Sequence, residues 1–462
     1  MDTVGGRWAL VVFLAIAAAP CVDALDGEAH LLGSAHFLAA KEPTAIVAEA
    51  LRSAASGSRN FVARQEALQT RLRSLFRALP KTASGSLAPE AVRYALHRHF
   101  VREHAMYIHG LEPAGTSFWN DSSPVDALSQ RVPAHIQMLF SERLESHGGF
   151  DLNHLALFAA TLESLIHEIT LGFLREAYAH TNHSTEELLT VTEIDEVTAI
   201  FFASFLSHEH RRVRHRAPSV EQTTLNYPGF VKVLKFVRQK QLELLRANVD
   251  GHSFTDVSRV VDGVISELGQ QQQDECDDFT DDLIKIGVPG TGRVKLSKFY
   301  ATRFLDEPPE LLRNLGALDE DGEDGGQQTE PHVVIPNYIS SSTNCISSTQ
   351  LYAVCCPDAC DPLLTRLEEH VKGPLARPLD ILSLVQTMPS RTQEAPRQLG
   401  ETLVKRLEDI AEANEGKVPL HGRLFAQWMH FAYPYECTLP ARIGTTTQVA
   451  SKDFARLVTD RR

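Results

Sequence analysis

The chain has 462 residues, 43% of them hydrophobic and 23% charged, and carries a formal net charge of −14. That length can bury two or three domain cores, and the balance of apolar to charged residues excludes a disordered chain. The acidic excess speaks against nucleic acid as a partner, because phosphate binding calls for a basic face.

At the N-terminus, "MDTVGGR" with Arg7 precedes the apolar run "WALVVFLAIAAAP" and the small residues of "CVDALDG". This order predicts a signal peptide over 1–24, cleaved after Ala24 and too short to span a bilayer. The longest later apolar run, 152–174, is interrupted by Glu163, His167 and Glu168, so no transmembrane segment is expected after cleavage. The expected address is the secretory pathway, secreted or lumenal, or an organelle reached through the endoplasmic reticulum. Two sequons, at Asn120 and Asn182, are glycosylation candidates in such a compartment.

Helical periodicity then dominates. Apolar residues recur every three or four positions over 44–79, 88–108, 402–413 and 422–433. Strands are few. "HVVIPNYI" (332–339) is the best, and Pro336 predicts an edge position for it. A basic, polar stretch over 208–227 and an acidic, Gly-rich one over 318–331 read as linkers. The run "QQQQDECDDFTDD" (270–282) reads as a loop whose acids cap the next helix. The expected class is therefore mostly α: a helical domain over 25–207, a second helical piece over 228–317, and a Cys-containing helical domain over 332–462.

Cys21 leaves with the signal peptide, which leaves Cys276, Cys345, Cys355, Cys356, Cys360 and Cys437. An even count in an oxidising compartment reads as structural disulfides. Five of the six lie beyond 340 and cannot pair among themselves, so either Cys276 reaches across or one thiol stays free. Adjacent Cys355 and Cys356 each bond elsewhere. Cys356 and Cys360 have C-x3-C spacing, not the C-x-x-C of thiol exchange, and zinc would want a second close pair of ligands.

"PGTGRVKLSKFY" (289–300) reads as a turn entering a helix, the second half of a calcium-binding helix–loop–helix. Such a loop needs oxygen ligands at positions 1, 3, 5 and 12, glycine at 6 and an apolar residue at 8. With Gly292 at position 6 and Val294 at 8, the ligand positions hold Gly287, Pro289, Thr291 and Lys298, and a lysine there repels the ion. The same frame can be laid on Gly85 with Leu87, on Gly148 with Phe150, and on Gly416, each lacking strong ligands. One loop keeps ligand types. Asn182, Ser184, Glu186 and Glu193 fall at positions 1, 3, 5 and 12 of "NHSTEELLTVTE", with Leu189 at 8 and Glu187 replacing the glycine. Its separation from the Gly148 loop suits a pair. These four residues are the calcium candidates, and a glycan on Asn182 would exclude an ion.

Segments 140–200 and 240–305, the latter with "VDGHSFTDVSRVV" and "GTGRVKLSKFY", resemble degenerate EF-hand pairs. The remainder, including "IPNYISSSTNCISSTQLYAVCCPDAC" and "KVPLHGRLFAQWMHFAYPYEC", is similar to an uncharacterised family of predicted secreted proteins of unicellular algae. That resemblance implies an architecture and assigns no activity.

Other chemistries lack their residues. "LIHEITL" has Leu171 where a zinc-peptidase helix needs its second histidine. His97 and His104 share a helix but read as half-exposed histidines. No phosphate loop, nucleophile elbow or dinucleotide fingerprint is present. Phe425, Trp428, Phe431, Tyr433 and Tyr435 read as core. The expectation is a non-enzymatic binding or scaffold protein with an unidentified protein partner, no cofactor, and calcium as the one ion to consider. The alternatives are a calcium-responsive binding protein and a thiol-dependent enzyme using the 345–360 cysteine cluster.

Overall fold

A computed structural model describes residues 59–108, 111, 149–206, 219–227, 229–246, 250–302, 305, 307–320, 323–324, 327–328, 330–349 and 351–440. The expected signal peptide, Asn120, Gly148 and residues 208–218 of the first linker lie outside them.

The described chain is mostly helical. Helices α1 (Arg59–Ala78) and α2 (Pro89–His104) are followed by the short strand β1 (Met106–Ile108) and by α3 (Leu152–His180), α4 (Val191–Leu206), α5 (Val220–Asn226), α6 (Phe230–Leu244) and α7 (Phe254–Gln271). Sequence spacing sets their faces: Leu68, Leu72, Leu75 and Leu79 are all buried, as the period of three to four requires. Pro89 sits in the first turn of α2, where its missing N–H is no loss. Asp151 caps α3 by accepting from the His154 N–H at 2.8 Å. By length and composition α3 could cross a membrane. Here Leu155, Phe158, Leu162 and Leu165 enter the first core, which takes residues from Phe61 to Leu268 and so draws on both helical segments that the sequence divides at 208–227.

The run 270–282 is helix, not loop. Gln272 alone separates α7 from α8 (Gln273–Ile286), and Asp274 and Glu275 occupy the first turn of α8. Glutamine and glutamate are good helix formers and the run holds no glycine or proline, so polarity alone gave no reason to break. Part of the 208–227 stretch is likewise helical, since α5 lies in it with Ser219 as its cap.

A second core lies beyond α8. It is built from β2 (Arg293–Lys295), α9 (Leu296–Ala301), α10 (Pro309–Asn314), β3 (Leu318–Asp319), β6 (His332–Val334) and α11 (Ile335–Ile339), with the hairpin of β4 (Glu323–Asp324) and β5 (Gln327–Gln328) inserted before β6. The sheet order is β2-β6-β3, all antiparallel. The expected edge strand 332–339 is thus corrected twice. Only its first three residues are strand, and they lie in the middle of the sheet. Pro336 falls in the first turn of α11, where it removes no ladder bond.

Strands β7 (Ser347–Ser348) and β8 (Tyr352–Val354) form a hairpin whose β8 also pairs with β1. This inserts Leu351, Tyr352 and Val354 into the first core. The C-terminal unit has a core of its own from α12 (Asp361–Val371), β9 (Leu375–Ala376), α13 (Pro378–Thr387), α14 (Glu401–Glu412), β10 (Val418–Pro419) and α15 (Arg423–Ala432).

One arrangement recurs. A short antiparallel contact of one to three residues joins two stretches of chain, and each stretch leads into a helix within a few residues. The bridged residues are Leu87 with Phe150, Leu189 with His252, Val294 with Val333, and Ala376 with Val418. The Leu189 and His252 N–H groups each donate to the other's carbonyl at 2.9 Å. Partners differ from those the sequence spacing suggested. Phe150 meets Leu87 and not the 182–193 loop, and Val294 meets Val333 and not the turn before α7. Linear separation carried no information about which turn would lie opposite.

Candidate functional site

The turn 287–295 is fixed by its own chain first. Val288 N–H donates to the Arg293 carbonyl at 2.8 Å, and Gly290 and Gly292 adopt φ of 74° and 67°, left-handed values that favour glycine. What fills the turn comes from the end of α15. Gly290 N–H donates to the Tyr435 hydroxyl at 2.8 Å. A Cβ on Gly292 would lie 1.9 Å from the Pro434 carbonyl oxygen. Arg293 donates from Nε to Asp319 at 2.8 Å, and its Nη1 lies 3.3 Å from His430 Nε2. Beside it, Asn337 donates to the carbonyls of Gly316 and Leu439 and accepts the Leu439 N–H at 2.7 Å. The second and C-terminal cores are therefore joined through a turn with the outline of a cation loop and none of its acids.

Three disulfides converge on 355–360. Cys355 bonds Cys345, closing the hairpin that plugs the first core; Cys356 bonds Cys276 on α8; Cys360 bonds Cys437 beyond α15. The expectation of structural disulfides holds, with Cys276 reaching across and no thiol among the six left free.

The same segment leads into a buried ionic cluster. Arg98 on α2 donates to Asp361 and Glu368 on α12 and to Thr365 Oγ1 at 2.9 Å. The three charged side chains are all at least 94% buried. His421 Nε2, also buried, lies 3.2 Å from Glu368 Oε1, and the His421 ring meets Tyr94 edge-on at 5.5 Å. Burial opposes ionisation of Glu368, but His421 and Arg98 together hold its carboxyl below the ordinary value. Burial lowers His421 and pushes Tyr94 up to about 12. The half-buried Asp358, which accepts the Cys360 N–H at 2.9 Å, is raised to about 6 by burial and then by Asp361. Sequence reasoning named none of Arg98, Asp361, Glu368 and His421. Arg98 stands 263 and 270 residues from its two acids, and no local signal links them.

The calcium candidates make local bonds. Asn182 is exposed with φ 60°, at the end of α3. Ser184 Oγ accepts the Glu186 N–H at 3.2 Å. Glu187, in the glycine's place, accepts from Ser184 N–H at 2.7 Å and lies 2.8 Å from His183 Nδ1. Glu193 accepts from both Thr190 N–H and Thr190 Oγ1, at 2.7 and 2.8 Å, which holds its carboxyl below the ordinary value. The opposite turn repeats this, with a capping box between Ser253 and Asp256. The Ser184 hydroxyl and the Glu193 carboxylate thus serve a turn and a helix cap. Among the described residues no group of three or more His, Cys, Asp or Glu could hold a metal.

His104 Nδ1 lies 3.2 Å from the Ser266 carbonyl, and His97 meets Tyr107 ring to ring, so the two point to separate neighbours. His99 between them is fully buried with no hydrogen-bond partner for either ring nitrogen. Of the aromatic cluster, Phe425, Trp428 and Tyr433 are core, while Phe431 is 37% exposed under the Arg406 guanidinium. No protein-family model matches this chain, and no curated protein or solved structure matches it either.

Proposed function

We propose that this is a secreted or lumenal, non-enzymatic scaffold built from degenerate EF-hand-like pairs, whose turns pack against protein where calcium-binding loops would hold an ion. The observation that carries this reading is the turn 287–295, occupied by Pro434 and Tyr435. The four bridged turns extend the resemblance from two pairs to four and bring the C-terminal unit into the same scheme. Capping supports it as well. Where a calcium loop places its bidentate acid, three residues after the helix cap, these turns put Glu193 and Asp256 to capping and Asn337 to holding Leu439, and a third carries Lys298 there. Having all six cysteines in disulfides favours a structural role over a thiol nucleophile in 345–360.

Three disulfides fit an oxidising, secretory environment. In that setting the exposed Asn182, on its turn, would carry a glycan at the mouth of the one loop that keeps ligand types.

The test is a calcium titration of the purified mature protein, followed by melting temperature. No shift up to millimolar calcium is expected. A saturable rise abolished by Glu193→Gln would replace the scaffold reading with a calcium-responsive one.

A further inference from the structure

Cys355, Cys356 and Cys360 tie 355–360 to three different bodies: the hairpin in the first core, α8 in the second, and the end of α15 in the third. These bonds differ in access. Cys345 and Cys355 are 8% and 3% exposed and form a small cluster with Ala353 beneath Tyr107. Cys437 is 1% exposed, and Cys360, partly buried as Cys276 is, packs on the C-terminal core and does not line the cleft at Cys276. Cys276 alone of the six lines a narrow surface cleft, among Asp277, Thr280, Pro357, Arg391 and Tyr435. Its partner Cys356 is 5% exposed and packs in the second core.

We propose that Cys276–Cys356 is a redox-sensitive staple, opened selectively by a thiol reductant entering this cleft while the other two disulfides persist. In the first step a thiolate attacks Cys276 Sγ, forms a mixed disulfide and expels the Cys356 thiolate. A second thiolate then attacks the reductant's sulfur and releases the Cys276 thiolate. The reductant becomes a disulfide, and the protein gains two electrons and two protons as two thiols. Attack at Cys276 follows from access, which with thiolate character governs exchange rate.

The staple's place gives its opening a consequence. Its cysteines are 80 residues apart and bracket the whole second core. Opened, it leaves that core on the C-terminal unit through the Gly290–Tyr435, Arg293–His430 and Asn337–Leu439 contacts and the Arg391 ion pairs with Asp277 and Asp281. The cysteine pair in the hairpin and the one closing the C-terminal unit would hold their own regions unchanged.

The experiment treats the native protein with graded dithiothreitol, quenches with iodoacetamide, and maps alkylated cysteines by peptide mass alongside hydrogen–deuterium exchange. Cys276 and Cys356 should be labelled together, at least ~10-fold faster than the other four, with faster exchange over 273–339 and unchanged exchange over 89–104 and 361–432. Cys345–Cys355 or Cys360–Cys437 opening first, or all three opening together, would overturn the proposal. A Cys276→Ser/Cys356→Ser double variant should reproduce the exchange pattern of the partly reduced protein. Should that variant fail to fold, the labelling order in the natural chain still decides.

Discussion

Gly292 and Gly290 share a turn and a left-handed backbone, yet their tolerance of a side chain should differ. At Gly290 nothing lies within 4 Å of the place a Cβ would take, whereas at Gly292 the Pro434 carbonyl does, at 1.9 Å. Gly290→Ala meets only the backbone penalty, about 1 kcal/mol. Gly292→Ala adds displacement of the Pro434 segment, and urea denaturation should show a loss of roughly 3 kcal/mol or more. Equal losses at the two positions would deny the docking contact. Arg98 offers a second residue-scale test. Arg98→Met strands Asp361 and Glu368 without their cation, and a loss of about 3–5 kcal/mol is expected. Adding Asp361→Leu and Glu368→Leu removes the stranded charges and should recover most of it, because desolvation of the charges, and not the attraction alone, sets the cost.

Among the elements, the paired turns at Leu189 and His252 each start a helix with a reciprocal cap, Thr190 with Glu193 and Ser253 with Asp256. Ser253→Ala should destabilise by about 1 kcal/mol. Glu193→Gln should change melting temperature little, because glutamine serves at the same cap position; a large loss without added metal would mean that the carboxylate does more than cap. Elements also show where the sequence misled. The 270–282 run is acidic and polar enough to look like a loop, but it continues as helix because Phe279 and Leu283 turn toward the second core. Pro336 argued against a central strand, and the chain meets that objection by turning helical one residue before it.

Across the whole molecule, acid should act against the fold through its depressed histidines. Burial, reinforced by His104 and Arg102, pushes His99 down to about 3, burial pushes His430 down to about 4, and His421 is lowered as well. A histidine depressed in the fold takes up protons more readily when unfolded. Its contribution is present above the unfolded value of 6.5 and is lost as pH falls toward the folded value. Asp358, raised to about 6, acts in the opposite sense: its contribution is present below the unfolded carboxyl value and lost as pH rises through about 6. The three depressed histidines lose their contribution as pH falls from about 6.5 to 4, and the raised Asp358, Glu163, Glu176 and His167 oppose them. His99→Phe should flatten that slope in denaturation curves taken across the range, and an unchanged slope would remove His99 from the account.

Composition and periodicity determined the mostly helical class, the buried faces of α1, α14 and α15, and the disulfide character of the C-terminal half, because these depend on residues close in the chain or on simple counting. The loss of ligands in 287–298 was equally legible, since a lysine cannot do a carboxylate's work wherever it lies. The tertiary structure alone decided which turns bridge, which cysteines pair, and that Arg98 meets Asp361 and Glu368. Each of those joins residues that one-dimensional spacing leaves unrelated, and they become neighbours only when three cores are packed around 355–360.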